Sequence, residues 1–262
     1  MSTLVCFHAH PDDESIATGG LMAKAADDGH RVVLVLATRG EHGEVAEGFL
    51  DEGETLSDRR SKETLASAEI LGVARVEFLG YVDSGMMGTP ENDQAGSFWT
   101  ADVDEAAGKL ATILREENAE VLTCYDKIGG YGHPDHIQVH RVGLRAGELA
   151  GTPRVYQATI NRDHFVRLQK MMLADHPDEW PDDVPDLEDS PNFGMPESVI
   201  TAQVDVSDYV DRKRASMAVH ASQISDQHFM LSMPAEAFAG AFGTEWFIRA
   251  GEGPGITEHA LL

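Results

Sequence analysis

Two short stretches of the chain carry residue types and spacings suited to holding a divalent metal: AHPDDE at 9–14 and GHPDH at 132–136. Borderline divalent metals favour imidazole and carboxylate ligands, and a catalytic site needs about three protein ligands with one position left open. His10 and Asp13 are close enough in one tight loop to supply two of them, and Pro11 stiffens that loop. The third must come from elsewhere in the chain, and the HPDH stretch is the obvious source. The adjacent aspartates can divide two jobs. One binds the metal, while the other stays free to accept a proton from water whose pKa the metal lowers to about 7. His133 and His136 can divide labour likewise, one on the metal and one facing the reacting oxygen, with Asp135 orienting and charging the free imidazole. Either stretch alone reads equally well as a helix N-cap. Together, both following strand-like runs, they point to chemistry.

The elements that would position them alternate. Apolar, β-branched runs at 4–9, 31–38, 75–81, 120–125 and 154–160 read as strands. Periodic segments at 15–28, 56–73, 102–117 and 135–149 read as helices, the second with Leu65, Ala68 and Leu71 on its apolar side. Residues 38–54 and 83–96 read as loops. This order predicts a mostly parallel α/β sheet covered on both faces. Such sheets place their sites beyond the carboxyl ends of the strands, where both clusters, TRGE and YVDSGM all fall. The glycines of the first turn do not form GxGxxG, so no dinucleotide site is supported. The second half is less regular. Helices are expected at 162–173, 208–223 and near 235–241, and strands at 199–207 and 245–249. The acidic, proline-rich stretch 175–191 reads as an exposed loop or lid. We divide the chain into a catalytic core at 1–160 and a smaller C-terminal lobe, 161–262, packed on the same domain at the substrate side.

The 262 residues include 45 acidic and 20 basic side chains, for a net charge of −25. Such a surface repels phosphate backbones and argues against nucleic acid as a partner. A solvated acidic shell that keeps the protein in solution explains the imbalance. No apolar run approaches the length of a membrane span, and the N-terminus lacks a signal-peptide pattern, so the expected location is cytoplasmic. Cys6 and Cys124 lie in strand-like runs and read as buried thiols. His140, four residues after His136, reads as a ligand or a supporting residue, and His8 as packing. His42, His176 and His259 read as surface residues.

The pair AHPDDE and GHPDH resembles the signature of the PIG-L/LmbE-like N-deacetylases. The likeness extends to Arg60–Glu63 (RxxE), LGV at 71–73, DSGM at 83–86 and HxSQ at His220–Gln223. GGYGHPDH and DSGM are similar to the actinobacterial branch, which includes the deacetylase and amidase of mycothiol metabolism. The resemblance implies a Rossmann-like three-layer α/β sandwich and a zinc-dependent hydrolase, with Fe²⁺ as the alternative metal. Its substrate would be a small N-acetylated amino sugar of the N-acetylglucosamine type. By motif position, His10, Asp13 and His136 would bind metal and Asp12 would be the general base. His133, steered by Asp135, would stabilise the oxyanion or protonate the amine. Tyr131 would polarise the acetyl carbonyl, and Arg60 and Asp83 would contact the sugar. The amidase-like members carry a lysine just after AHPDDES, where this chain has Ala17, which points away from them.

Two other functions use the same residues. A non-haem iron enzyme can be built on two histidines and one aspartate. A sugar-binding protein with a structural metal would show a fourth protein ligand and no free base. A homo-oligomer is compatible with the sequence.

Overall fold

The computed structural model describes residues 1–175, 187–190 and 192–262. A seven-stranded sheet forms its centre: β1 (Thr3–His8), β2 (Arg31–Leu36), β3 (Arg75–Phe78), β4 (Val121–Tyr125), β5 (Arg154–Thr159), β6 (Ala202–Asp205) and β7 (Thr244–Arg249). The spatial order is β3-β2-β1-β4-β5-β7-β6. The first five strands are parallel, and β7 runs antiparallel to both β5 and β6. The last third of the chain thus extends the same sheet. β1, β2 and β4 are almost wholly buried apolar runs, as strands covered on both faces must be.

Ten α-helices accompany the sheet among the described residues: α1 (Asp13–Ala17), α2 (Gly19–Asp27), α3 (Leu56–Leu71), α4 (Val103–Glu116), α5 (Gly129–Gly132), α6 (Pro134–Ala150), α7 (Arg162–Asp175), α8 (Val210–Ala218), α9 (Phe229–Ser232) and α10 (Ala235–Phe242). α4 and α6 pack together, while α2, α3 and α8 form a second group. β1 is bonded to β2 on one side and β4 on the other, so the loops after β1 and β4 leave the sheet beside each other. This is the switch point of a doubly wound sheet, where a crevice opens at the carboxyl ends. AHPDDE follows β1 and GGYGHPDH follows β4, so the topology itself brings the two clusters together.

Two sequence expectations change. The single helix over 15–28 is two helices broken at Thr18. Glu245 of β7 supplies the reason: its carboxylate accepts the backbone N–H groups of Gly20 (2.8 Å) and Leu21 (2.9 Å), capping a fresh helix start. Leu65 is exposed, and α3 instead buries Arg60, Glu63, Thr64 and Ser67 beside Ala68 and Leu71. That polar face answers to hydrogen-bond partners near the site, which apolar periodicity does not reveal. The lid reading of 175–191 falls largely on 176–186 and 191, outside the described residues. Cys6 and Cys124 are buried free thiols.

α6 carries the second cluster, and its seat on β4 is tight. A Cβ on Gly143 would meet Cys124 Cβ at 2.4 Å. Gly143→Ala is therefore expected to destabilise the fold by about 1–3 kcal/mol through overpacking. The check is a lower urea midpoint with an unchanged denaturant slope.

Candidate metal centre and active site

β1 ends at His8, and the next turn delivers His10, Asp12 and Asp13. Asp12 sits at the start of α1 with φ 94° and ψ −35°, a left-handed conformation that a non-glycine residue adopts only under constraint. Its carboxylate makes no capping bond to the helix. It faces the Arg60 guanidinium instead, with Nη2 donating to Asp12 Oδ2 (3.2 Å). The simple N-cap reading therefore fails for Asp12. Burial pushes this carboxyl up to about 6, although Arg60 opposes the rise. Asp13 Oδ2 accepts the His10 backbone N–H (2.9 Å), which folds the loop onto itself.

On the other side, Asp126 pins the turn after β4. Its Oδ1 accepts the N–H groups of Ile128 (2.9 Å) and Gly130 (3.1 Å), and its Oδ2 accepts the Thr159 hydroxyl (2.6 Å). Gly129 has φ 64°, and a Cβ there would lie 2.4 Å from His136 Cβ. Only glycine lets this turn lie against the helix, where the Gly129 carbonyl meets His136 Nδ1 (3.1 Å). His133 is the N-cap of α6, its Nδ1 accepting the Asp135 N–H (3.1 Å).

The clusters meet on Asp13. Its Oδ2 lies 3.4 Å from His10 Nδ1 and 3.3 Å from His136 Nε2. Each imidazole is held by its other nitrogen: His10 Nε2 on Asp135 Oδ2 (3.1 Å) and His136 Nδ1 on the Gly129 carbonyl. Among the described residues, His136 Nε2 is buried without a hydrogen-bond partner. Ligand bonds of about 2.0–2.1 Å in tetrahedral array set ligand atoms about 3.3–3.4 Å apart, which the Asp13–His10 and Asp13–His136 separations match. Ligating atoms of His10, His133 and His136 also fall within 4.8 Å of one another, as do those of His10, Asp83 and Asp135. Burial alone would lower the His10 imidazole, but Asp13, Asp135 and Asp83 around it hold it well above its usual value. Burial would raise Asp13, yet His136 and His10 keep it well below the usual carboxylate range. The pocket thus attracts positive charge and offers an orphaned nitrogen and a carboxylate oxygen to receive it. The residues fit a divalent cation.

The Asp135 carboxylate does not reach the His133 ring. Oδ2 accepts the Ser84 N–H (2.9 Å) along with its His10 contact, and Oδ1 accepts the Ser84 hydroxyl. Asp135 touches His133 only through its backbone N–H. Burial, with His10 and His136 nearby, lowers His133 to about 3, so this imidazole is neutral near pH 7 rather than charged. With Nδ1 accepting, its proton rides on Nε2. Tyr131 lies half-exposed at the mouth, its ring centroid 4.9 Å from that of His136 and 6.3 Å from that of His133. Burial of its hydroxyl and the Asp13 charge raise its pKa, so it stays protonated.

Arg60 and Asp83 are turned toward protein. Arg60 is 3% exposed and donates to the carbonyls of Gly40 (2.9 Å) and Pro11 as well as to Asp12. It is neither a solvated helix residue nor open to a ligand here. Asp83 accepts the N–H groups of Gly85 (2.9 Å) and His42 (3.2 Å), with Oδ1 3.5 Å from His10 Nε2. His140 donates to or accepts at no ligand position; its Nδ1 meets the Tyr125 carbonyl (3.0 Å). Sequence reasoning left four site neighbours without a role: Glu14, Ser84, Tyr125 and His220. Glu14, Ser84 and His220 sit inside quoted motifs. Tyr125, which bonds His8 Nδ1 (2.7 Å) and stacks 4.8 Å from His136, carried no signal beyond ending its strand.

Known proteins similar to this chain include deacetylases. A 1D-myo-inositol 2-acetamido-2-deoxy-alpha-D-glucopyranoside deacetylase of Acidothermus cellulolyticus is 40% identical over 258 residues, covering 94% of this chain and 88% of that one. Among solved structures, an N,N'-diacetylchitobiose deacetylase from Pyrococcus horikoshii superposes with a TM-score of 0.60 at 24% identity, covering 95% of this chain and 83% of the other. A 4-carboxy-2-hydroxymuconate hydratase from Pseudomonas putida shares the fold at TM-score 0.59 and 20% identity, covering 96% and 97%, so the fold alone does not decide the reaction. Residues 5–147, which span β1 through most of α6 and hold both clusters, match the PIG-L family, described as GlcNAc-PI de-N-acetylase, and the chain belongs to that family.

Proposed function

We propose that this chain is a zinc-dependent N-deacetylase that removes the acetyl group from an N-acetylglucosaminide whose aglycone is an inositol or a similar polyol. One observation carries the reading. Asp13 Oδ2 lies within 3.3–3.4 Å of two imidazole nitrogens, while the adjacent Asp12 carboxylate is left unbound by either. The substrate class rests on the name of the relative at 40% identity.

His10, Asp13 and His136 would hold the ion. Asp13 is preferred to His133 as the third ligand because His133 Nδ1 is occupied by a backbone N–H. When bound, the ion supplies acidity to water near neutral pH and polarises the acyl oxygen. Asp12 accepts the proton of the attacking water. His133 donates from Nε2 to the oxyanion that forms as water adds to the acetyl carbon, and Tyr131 donates to the same oxygen. The carbon–nitrogen bond then breaks. Acetate departs, and the proton taken from water ends on the sugar amine. Arg60 in this arrangement serves the base, steadying Asp12 and the Pro11 carbonyl together.

The test is release of free amine from 1D-myo-inositol 2-acetamido-2-deoxy-α-D-glucopyranoside by the zinc-loaded protein, followed by fluorescamine labelling. Amine should appear, vanish with chelator and return with added Zn²⁺. No release with either Zn²⁺ or Fe²⁺ bound would overturn the reading.

A further inference from the structure

Behind Asp12 lies a second polar cluster, distinct from the residues that would hold the ion. Glu14 and His220 are both fully buried, 206 residues apart in sequence. The Asp12 backbone N–H donates to Glu14 Oε2 (2.9 Å). Glu14 Oε1 accepts from His220 Nε2 (2.6 Å), from the Ser67 hydroxyl (2.7 Å) and from the Ser15 hydroxyl (3.2 Å). The other ring nitrogen of His220 has no hydrogen-bond partner among the described residues. The polar contacts of this ring are therefore directed at Glu14 alone. The rest of the HASQ segment grips the same neighbourhood. Ser222 bonds Glu63 of α3 through its N–H (2.9 Å) and hydroxyl (2.6 Å), and Gln223 Nε2 donates to the Glu44 carbonyl (3.0 Å).

We propose that Glu14 and His220 form a buried clamp that positions the Asp12 carboxylate for its work on water. The inference rests on Asp12 being the base. A residue held at φ 94° relaxes unless its surroundings over-determine it. Arg60 grips Asp12 from its carboxylate side and at the preceding carbonyl. Glu14 grips its backbone N–H from the other side, and Glu14 is itself immobilised by His220 and Ser67. A helix start needs no buried carboxylate for its own sake, since a short polar side chain caps it at lower desolvation cost. A charged group buried there with a cationic or donor partner from the far end of the chain is suited to fixing one backbone geometry. His220 and Glu14 touch no substrate in this scheme and act as positioning residues.

The experiment is a double-mutant cycle on the zinc-loaded full chain, with the inositol glucosaminide as substrate. His220→Leu is expected to lower kcat by about 10- to 100-fold, with KM within about twofold and zinc content unchanged. His220→Gln, whose amide N–H can reach Glu14, should recover most of that loss, whereas the shorter His220→Asn should not. In an Asp12→Asn background, His220→Leu should have no further effect, because the clamp acts only through the carboxylate. A purely structural role would lower the residual rate there by the same factor, and that result overturns the clamp. So does zinc loss, or a kcat within twofold of native in His220→Leu. If His220→Leu fails to fold, the Asn and Gln pair runs the same cycle, and equal kcat in both overturns the proposal. Should Asp12→Asn by itself leave kcat intact, the base assignment falls first. If Asp12→Asn is impaired and the His220 variants are not, the clamp alone falls.

Discussion

Asp12→Asn is expected to lower kcat by about 100- to 10,000-fold while the protein keeps its full complement of zinc. Asparagine preserves the size of the side chain and an oxygen able to accept from Arg60 Nη2, now 3.2 Å from Asp12 Oδ2. It removes only the basicity. A carboxyl raised to about 6 by burial is well matched to accepting a proton near neutral pH. A cation bound nearby favours the charged form and keeps it ready. Because Asp12 contacts neither imidazole that flanks Asp13, its loss should leave the metal in place. The measurement pairs single-turnover or steady-state kcat with zinc per chain by elemental analysis. Retained activity removes the base from this position. Lost zinc makes Asp12 a ligand and moves the chemistry elsewhere.

How much of this was legible in the sequence differs from link to link. The convergence of AHPDDE and GHPDH followed from two readable features: buried β-branched runs alternating with amphipathic helices, and polar clusters at the ends of the first and fourth strands. β1 and β4 then proved adjacent in the sheet. What stayed hidden depends on contacts distant in sequence. The break at Thr18 needs Glu245, which reaches the start of α2 from the last strand. The polar face of α3 makes sense only once Glu14, Ser222 and Asp12 are seen against it. Leu65 obeyed the helical period and still faces solvent. Asp135 stands two residues from His133, which made that ring the natural partner. Its carboxylate instead points across the crevice to His10 and Ser84, because His133 turns its Nδ1 back to cap the helix. The placement of β7 between β5 and β6 likewise leaves no local trace. Local pattern specifies elements and motifs, whereas the partner of each buried polar group is set by the whole fold.

His136→Ala is expected to abolish zinc binding and to reduce kcat/KM by at least about 1,000-fold, since the ion contributes several kcal/mol and each 1.36 kcal/mol is tenfold in rate. The position is more diagnostic than His10. Among the described residues His136 Nε2 is buried without a hydrogen bond and faces Asp13 Oδ2 at 3.3 Å, whereas His10 closes contacts to Asp135 and Asp83 as well as to Asp13. Thermal unfolding separates the two roles of the side chain. Zinc at about 100 times its dissociation constant stabilises the native protein by about 2.7 kcal/mol, which for a chain of this size raises Tm by about 5–10 °C. His136→Ala should fold and show no such rise. Without metal it should melt below the native apoprotein, because alanine also removes the Nδ1 contact to the Gly129 carbonyl and the ring beside Asp13. A zinc-dependent rise in Tm that survives the substitution would transfer the third ligand to another residue, and His133, whose ring centroid lies 4.7 Å from that of His10, would be the first to examine by the same measurement.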